Sequence, residues 1–453
     1  WVLPVAGTAL LAISSLLIAG VYPNLIQQFQ VKPGESAKEA PYIQRNIDAT
    51  RAAYGLEKVE VKDYQATVAT SAGQLSNDAA TISNIRLMDP NILSATFRQL
   101  QQIKPYYTFN NSLDIDRYKI DGKSHDMVVA VREMNIDGNP NRNWINDHLV
   151  YTHGFGFVGA YGNTPELDGK PVFAVGDIPP KGSVGKFEPR VYFGENNPTY
   201  SIVGGKKGGD AVELDYPDDA SPNGQKNYTY TGNGGVPLGS VFSRLLFAIH
   251  YQEQRILLSN LINSESKIIF NRSPRERVAK VAPWLQLDGD PYPAIIDNRI
   301  VWIVDGYTTS ASYPYSRTVD LTGVTTDSLN VNTNPLTATP NAKINYIRNS
   351  VKATVDAYNG SVTLYAWDEN DPILKTWSKA FPGSVKAKSE MSAGLVSHVR
   401  YPEDMFRVQR DVLSLYHVTN ASAFYGGQDF GRVPRDPSTL GANAGAQPPY
   451  FYT

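Results

Sequence analysis

The sequence contains no cysteine and has few charged side chains. Its 453 residues include 42 Lys and Arg against 44 Asp and Glu, and charged residues make up only 19%. Without cysteine the chain can form no disulfide framework, no thiolate metal site and no cysteine nucleophile. The net charge of -2 excludes a strongly basic surface of the kind that binds nucleic acid. We therefore expect no nucleic-acid partner.

The sequence also lacks the short motifs of several enzyme classes. G-x-S-x-G, the P-loop and H-E-x-x-H are all missing. These absences lean against an enzyme without deciding the question, and we predict no bound metal and no cofactor. What the chain does have is 42% hydrophobic residues, enough for substantial cores, together with 27 Tyr, 36 Gly and 30 Pro, which are typical of a loop-rich protein with many turns.

Residues 1–22 are apolar, and the first charged residue is Lys32. Because about 20 apolar residues cross a hydrocarbon layer of about 30 Å, we predict a transmembrane helix that ends at Pro23. A secretory signal peptide is the main alternative, although the basic start and a good cleavage site are missing; a buried core helix is the other. The predicted membrane anchors are Trp1, Leu10, Leu11, Leu16, Leu17 and Tyr22.

The region after this helix carries no excess of basic residues. Residues 32–60 contain five basic and five acidic side chains, so nothing there favours the cytoplasm. We predict a bacterial plasma-membrane protein with one span in this sequence and the bulk of the chain on the extracytoplasmic side, where the absence of cysteine is compatible with oxidising conditions. The missing initial Met and the terminal AQPPYFYT favour a piece of a longer protein.

The fold class that we predict is α+β. Residues 1–31 form the transmembrane helix and its exit, residues 32–235 a first mixed α/β extracytoplasmic domain, and residues 236–453 a second one, truncated at its C-terminus. Helices are predicted over residues 41–54, from 90, from 240, over 346–357 and over 402–416. Strands are predicted at residues 59–61, 113–115, 127–131, 148–153, 172–175, 190–193, 200–203, 294–296, 300–304 and 361–367.

A dinucleotide-binding motif is matched by spacing alone. Gly154, Gly156 and Gly159 form G-x-G-x-x-G, and Asp177 follows at the distance of a ribose contact. The glycines must open a helix to hold a pyrophosphate. Gly162 and the prolines that follow forbid one, so we predict a glycine-rich turn between strands.

Three residues are candidates for catalysis. His148 and His153 are five apart, which on a strand places them on opposite faces; each could act singly as a base or ligand, or be a hydrogen-bonded structural histidine. Asp305 ends an apolar run before Gly306. It is either a carboxylate at a strand end beside several hydroxyl groups or part of a turn-forming Asp-Gly pair.

Two further segments have alternative interpretations. The alternating Asn and Asp of residues 135–143 resemble a calcium loop, but Pro140 stands where Gly is required; a polar hairpin tip is favoured over a weak surface calcium site. The helix from Ser240 carries Arg244 and His250 among large apolar residues. It could face lipid or a partner helix, and core packing is the favoured interpretation.

Long strings throughout the chain carry a resemblance to a known family. APYIQRNI, RLMDPNILSATFRQLQQ, WINDHLVYTHGFG, VWIVDGYTTS and RYPEDMFRVQRDVLSLYHVT are examples. The chain resembles an uncharacterised protein family (UPF) of large multi-spanning membrane proteins from actinobacteria and cyanobacteria. The resemblance implies several transmembrane helices followed by a large extracytoplasmic region, and it implies no catalytic residues.

The sequence thus predicts the extracytoplasmic portion of an integral plasma-membrane protein. We expect a binding or assembly module of the cell envelope. The alternatives are a cell-envelope hydrolase and the outer domain of a transporter for a lipid or other apolar ligand. The expected partners are membrane lipid, other envelope proteins or the protein's own missing transmembrane helices.

Overall fold

A computed structural model describes residues 2–62, 73, 87–206, 208–328, 343–437 and 445–449. Within these residues an apolar N-terminal helix is followed by a body of mixed helices and β-sheets. This arrangement confirms the predicted fold class. Trp1, one of the predicted anchors, lies outside the described residues.

The N-terminal helix, α1, runs continuously over Val2–Val31. Its α-helical stretches, Val2–Leu16 and Tyr22–Ile26, are each followed by a π-helical turn, Leu17–Val21 and Gln27–Val31. The predicted end at Pro23 is wrong. Pro23 lies in the first turn of the stretch Tyr22–Ile26, just after the π-helical turn Leu17–Val21, where the regular hydrogen-bond pattern that a proline interrupts is already altered.

The remaining helices confirm the predictions at Pro90, Ser240 and Pro402. The helix predicted from Pro41 begins earlier, at Glu35, so that Pro41 lies inside it. In chain order the helices are α2 Glu35–Ala53, α3 Pro90–Gln101, α4 Val241–His250, α5 Arg255–Leu258, α6 Pro274–Val281, α7 Leu321–Thr325, α8 Pro372–Ala380, α9 Ala393–His398, α10 Glu403–Tyr416 and α11 Ala421–Gly426. The short 3-10 turn Lys32–Gly34 joins α1 to α2.

The strands form two large antiparallel sheets and several small ones. They are β1 Tyr107–Thr108, β2 Asp114–Ile120, β3 Lys123–Val131, β4 Glu133–Met134, β5 Gly154–Phe155, β6 Phe157–Pro165, β7 Pro171–Gly176, β8 Lys181–Gly182, β9 Arg190–Val191, β10 Tyr200–Val203, β11 Glu213–Pro217, β12 Gln225–Tyr228, β13 Val236–Pro237, β14 Lys267–Phe270, β15 Gln286–Leu287, β16 Tyr292–Ile296, β17 Arg299–Ser310, β18 Val319–Asp320, β19 Lys343–Ile344, β20 Tyr346–Asp356, β21 Val362–Ala366 and β22 Val385–Lys386. The five-stranded sheet has the order β2-β3-β6-β7-β8. In the six-stranded sheet β15 and β16 both pair with β17, followed by β20, β21 and β22; only β21 and β22 pair in parallel.

The largest hydrophobic core lies between these two sheets. Val129 and Phe157 of the five-stranded sheet share it with Trp302, Val351 and Val355 of the six-stranded sheet. A second core joins α2 to α10, and hydrogen bonds reinforce that contact: Gln409 donates to the carbonyl of Tyr54 at 2.9 Å. The helix that follows the membrane candidate α1 is therefore firmly attached to α10.

Strand β20, Tyr346–Asp356, takes the place of the helix predicted over residues 346–357. Val351, Ala353 and Val355 are each 0% exposed, and they repeat with the period of two that places side chains on one face of a sheet. β20 pairs on both sides, with β17 and β21. Because β-branched side chains pack well on such a central strand, tertiary packing overrides the helical pattern.

Three shorter predictions are also wrong. Residues 148–153 contain a π-helical turn, Asn146–Val150, whose register is set by the amide of Tyr151 bonding to the carbonyl of Asn146 at 2.9 Å. Residues 59–61 form no strand, since the amide of Val59 bonds back to Leu56 in a turn. Residues 135–143 form a 3-10 turn, Ile136–Gly138, and an Asn139 side-chain turn instead of a hairpin tip.

Candidate functional site

α1 is the one helix in the described part of the chain that is long and apolar enough to cross a membrane. Its 30 residues reach a mean hydropathy of 2.2 over an 18-residue window, none of which is buried. The predicted anchors within it are all exposed: Leu10, Leu11, Leu16, Leu17 and Tyr22. Length and composition are the basis of this assignment, and a signal sequence near the N-terminus would also satisfy them.

His148 is held by Tyr200. The Nδ1 atom donates to the carbonyl of Tyr200 at 3.0 Å, and the two rings stack with their centroids 4.0 Å apart. Burial lowers the pKa of His148 below its usual value, although the hydrogen bond to Tyr200 opposes this shift. The hydrogen bond and the ring stacking fix the orientation of the imidazole.

His153 lies in a different place, fully buried among polar side chains. Its Nδ1 atom is 3.0 Å from the hydroxyl of Thr152, which in turn donates to Glu213 at 2.8 Å. Its Nε2 atom is 3.6 Å from Asp215, a carboxylate that Arg190 also binds through two hydrogen bonds. Burial would raise the pKa of Asp215, but His153 and Arg190 together hold it below its usual value.

Asp305 forms a buried ion pair with Lys352, its direct partner across β17 and β20. Asn349 donates a further hydrogen bond to it at 2.9 Å. Asp305 and Gly306 lie within the 12-residue strand β17, so the predicted strand end and the predicted Asp-Gly turn are both wrong. The strand continues because the chain passes a β-bulge after Gly306. A catalytic role for His148, His153 or Asp305 stays a prediction.

The structure brings together a histidine and an aspartate that the sequence analysis did not connect. Nδ1 of His398, at the end of α9, lies 2.7 Å from Oδ2 of Asp116 on β2. Burial raises the pKa of Asp116, and His398 opposes the shift. Their separation of 282 positions leaves no local pattern by which sequence could have paired them.

The same side of β2 borders a small polar pocket. Asp114 and Glu133 line it, and within the described residues Oδ1 of Asp114 and Oε1 of Glu133 are buried without a hydrogen-bond partner. Arg400 approaches Asp114 at 3.5 Å. Burial raises the pKa of Glu133 to about 7, against the opposing hydrogen bonds from Asn196.

The glycine motif has the predicted structural role. Gly156 lies between β5 and β6 with φ at +99°, a conformation that glycine adopts without strain. A strand, not a helix, follows the glycines, which confirms a turn between strands. Among the described residues, no three His, Asp or Glu side chains are grouped as metal ligands.

An apolar groove with a volume of about 690 Å³ lies beside α10. This volume is typical of ligand pockets, which span roughly 300–1,000 Å³. Three segments enclose it with α10: residues 55–59, 431–434 and 447–449. Its apolar lining includes Leu56, Val59, Phe406, Leu413, Val433 and Pro434.

The polar lining of this groove is basic. Arg410, Arg432 and His417 contribute to it, and no Asp or Glu is found among the described lining residues. Nη1 of Arg410 donates to the carbonyl of Gln447 at 2.7 Å, whereas its Nε is buried without a partner in the described residues. Burial lowers the pKa of Arg410, and the charge of Arg407 lowers it further. Asp327 and Asp411 oppose this shift. An anion bound beside Arg410 would add a further negative charge and could accept from its unused donor.

Comparisons with known proteins cover the whole chain. The model of the "Uncharacterised protein family (UPF0182)" matches residues 1–453. UPF0182 proteins of Clavibacter michiganensis subsp. michiganensis and an Arthrobacter species are each 52% identical over 456 residues, covering 100% of this chain and 46% and 45% of those relatives. The UPF0182 protein of Streptomyces coelicolor is 49% identical over 454 residues, and the match covers 100% of this chain and 44% of that relative.

The chain thus spans less than half the length of these curated relatives. No solved structure matches it. The family match over every residue and the identity of about half of the aligned positions confirm the resemblance seen in the long strings of the sequence. The chain belongs to the uncharacterised protein family UPF0182.

Proposed function

We propose that this chain is the membrane-attached part of a UPF0182 protein that binds an anionic amphiphile, an acyl chain with a negatively charged head group, in the groove beside α10. One observation carries the proposal: an apolar groove of about 690 Å³ is lined by Arg410, whose buried Nε has no partner in the described part of the chain. Apolar walls suit an acyl chain, and a buried guanidinium with an unused donor suits its carboxylate or phosphate.

The proposed location is the plasma membrane of a bacterium, with α1 as the span and the body on the extracytoplasmic side. Its support is the apolar, unburied α1, the balanced charge of residues 32–60 and the absence of cysteine. Membrane lipid would be both the surroundings of α1 and the source of the ligand. Other envelope proteins and the additional length found in the relatives are further proposed partners.

Binding of a fluorescent polyene fatty acid to the full chain in detergent tests the proposal. The fatty acid should bind, and Arg410→Met should weaken it by about 10- to 100-fold, since a hydrogen bond to a charged group contributes about 1.5–3 kcal/mol. Phe406→Glu, which places a negative charge like that of the fatty acid on the exposed groove wall, should abolish binding. The methyl ester of the same acid, which has no charge, should lose little affinity with Arg410→Met.

Two variants serve as matched controls. Arg117→Met removes an exposed arginine of β2, and Phe381→Glu changes an exposed phenylalanine after α8; neither residue lines the groove. Both variants should bind the fatty acid as the parent chain does. Failure of the parent chain to bind it, or equal losses for acid and ester with Arg410→Met, would contradict the proposal.

A cell-envelope hydrolase is the second candidate function, and the Asp116–His398 pair favours it. A buried carboxylate that holds one imidazole nitrogen orients the other nitrogen as a general base. Turnover of chromogenic ester or glycoside substrates by the full chain, lost in a folded His398→Gln variant, would establish this function. No turnover by the parent chain would exclude it for those substrates.

A further inference from the structure

Helix α4 exposes its more apolar face to solvent. Val241, Phe242, Leu245, Leu246 and Ile249 are between 41% and 72% exposed. Their spacing of one, three or four residues places them along a single stripe. The favoured prediction of core packing for this stripe is therefore wrong, because the residues that pack inward are Phe247, Ala248 and Tyr251.

The apolar surface continues beyond α4. Leu258 at the end of α5 is 72% exposed, and Leu261 follows it at 39%. α4 and α5 contact each other. Soluble monomers rarely expose so many large apolar side chains on neighbouring helices, and such a surface marks a protein or membrane contact. We name Val241, Phe242, Leu245, Leu246, Ile249, Leu258 and Leu261 the α4 patch.

The α4 patch is held rigidly in this exposed position. Beneath it, Ala248 and Ile256 belong to a core with Trp144 and Tyr200, and Ser240 caps the first turn by accepting from the amide of Ser243 at 3.0 Å. Nε of Arg244 donates to the carbonyl of Leu238 at 2.8 Å, which anchors the helix from its inner side. The patch is therefore a fixed feature of the fold, not a frayed helix.

Charges around the patch favour a lipid surface. Residues 240–262 carry two arginines, Arg244 and Arg255, against one acid, Glu253, which is paired with Arg255 at 2.9 Å. A helix with one apolar face and basic flanks lies in the membrane interface and is attracted to anionic lipids. α1, in the same chain, would keep a bilayer permanently within reach.

We propose that the α4 patch inserts into the head-group region of the same bilayer that α1 crosses. The occupant of this surface is the anionic phospholipid bilayer, and the helix lies parallel to it with the five α4 side chains in the acyl boundary. This inference rests on the membrane attachment in the proposed function. It adds a second contact, which fixes how the body faces the membrane.

The absence of cysteine allows a direct test, because a single introduced cysteine is the only site for a thiol-reactive probe. Phe242→Cys, Leu11→Cys and Val396→Cys would each be labelled with an environment-sensitive fluorophore in the full chain, in nanodiscs of anionic phospholipid. Leu11 reports on α1, and Val396 is an exposed apolar residue of α9 outside the patch. Lipids with a quencher near the head group or deep in the acyl chain then locate each probe.

The inference predicts that the probe at position 242 emits at shorter wavelength and is quenched by the shallow quencher, whereas the probe at 396 is unaffected. If the probe at 11 is quenched and the probe at 242 is not, the inference fails and the membrane attachment stands. If neither is quenched, both fail. A blue-shifted probe at 242 that no lipid quencher reaches would indicate that a protein partner or a second copy covers the patch. Equal quenching of the probes at 242 and 396 would indicate lipid contact that is not specific to the patch. Either result overturns the inference.

Discussion

Asp305 and Lys352 form an ion pair whose side chains are 4% and 1% exposed. Burial raises the pKa of Asp305, and the charge of Lys352 opposes the shift. Two charges taken out of water depend on each other, because either one left alone retains its full desolvation penalty. Removal of either partner should therefore destabilise the folded chain, because the remaining charge would be buried without its counter-charge.

Lys352→Met should lower the free energy of unfolding by about 3–5 kcal/mol, as expected when one partner of a buried pair is removed. Urea unfolding at pH 7 measures the change. The double variant Lys352→Met, Asp305→Leu should recover much of the loss. Lys170→Met, which removes an exposed partner of Asp168, should change stability by no more than about 0.5 kcal/mol; a similarly small effect at Lys352 would contradict the prediction.

Burial of Glu133 makes the free energy of unfolding decrease as the pH rises. Burial raises its pKa from 4.5 to about 7, so between these values the folded chain holds a proton that the unfolded chain has lost. Stability from this group is complete below about pH 4.5 and falls as the pH rises through about 7, by on the order of 3 kcal/mol.

Glu133→Gln should remove this slope, because glutamine is neutral at every pH. Urea midpoints of the parent chain and the variant, compared at pH 5 and pH 8, measure it: the variant should gain stability relative to the parent chain at pH 8 and not at pH 5. Comparing the difference between the two chains isolates Glu133 from other titrating groups. A difference that is the same at both pH values would exclude the raised pKa.

Single residues show what sequence reasoning can reach at a functional site. The sequence points to His148, His153 and Asp305 because they stand beside local motifs, and the structure places them in three separate environments. His398 becomes interesting only because Asp116 lies 2.7 Å away. Arg410 is notable because its Nε lacks a partner. Such properties depend on three-dimensional neighbours, which a single sequence does not contain.

Secondary-structure elements are predicted best where the residues of the segment itself determine its conformation. The strands predicted at residues 294–296 and 300–304 lie in β16 and β17. Asp297 and Asn298, both with positive φ, join them, since Asn and Asp tolerate that conformation. β20 was mistaken for a helix because its partners, β17 and β21, decide its conformation. For α4 the type of element was predicted correctly, but the side that faces solvent was not, because amphipathicity does not say which face is buried.

The turn between β20 and β21 depends on Gly360. Its φ is +71°, and a Cβ atom there would lie 2.5 Å from the ring of Phe193. Gly360→Ala should therefore destabilise the protein by about 2–4 kcal/mol, combining about 1–2 kcal/mol of backbone strain with a similar cost of overpacking. Thermal or urea unfolding measures the loss.

Gly383→Ala is a matched control for this effect. Gly383 has φ at +80° but no atom within 4 Å of the added Cβ, so only the backbone strain of about 1–2 kcal/mol should appear. Equal losses in the two variants would show that the contact with Phe193 contributes nothing.

At the scale of the whole molecule, the two large sheets share one core. Val129 lies in residues 32–235 and Trp302 in residues 236–453, yet both belong to the same cluster. The division into two body domains at residue 235 stays a prediction. Contacts between distant segments such as these are set by the packing of complete sheets, and composition and periodicity give no information about them.

The side of the membrane on which the body lies is testable with one introduced cysteine. Leu167 is fully exposed between β6 and β7. In intact spheroplasts, Leu167→Cys should react with a membrane-impermeant maleimide, because the proposed location places the body outside the cytoplasm. The cysteine-free parent chain should stay unlabelled, and lysed spheroplasts give the maximal signal. Reaction only after lysis would place the body in the cytoplasm.

The short turn Lys32–Gly34 connects α1 to the part of the chain that carries the groove. α1 enters the turn from one side, and on the other side α2 is fixed to α10 through Tyr54 and Gln409. The 19 residues of α2 rise about 28 Å along the helix axis. In the proposed membrane arrangement α2 is a spacer, and the groove, which Gly55 and Leu56 line just beyond its far end, would stand at most about that length from the point where α1 leaves the bilayer. A ligand passing between the lipid and the groove would therefore travel no farther than about the length of one helix.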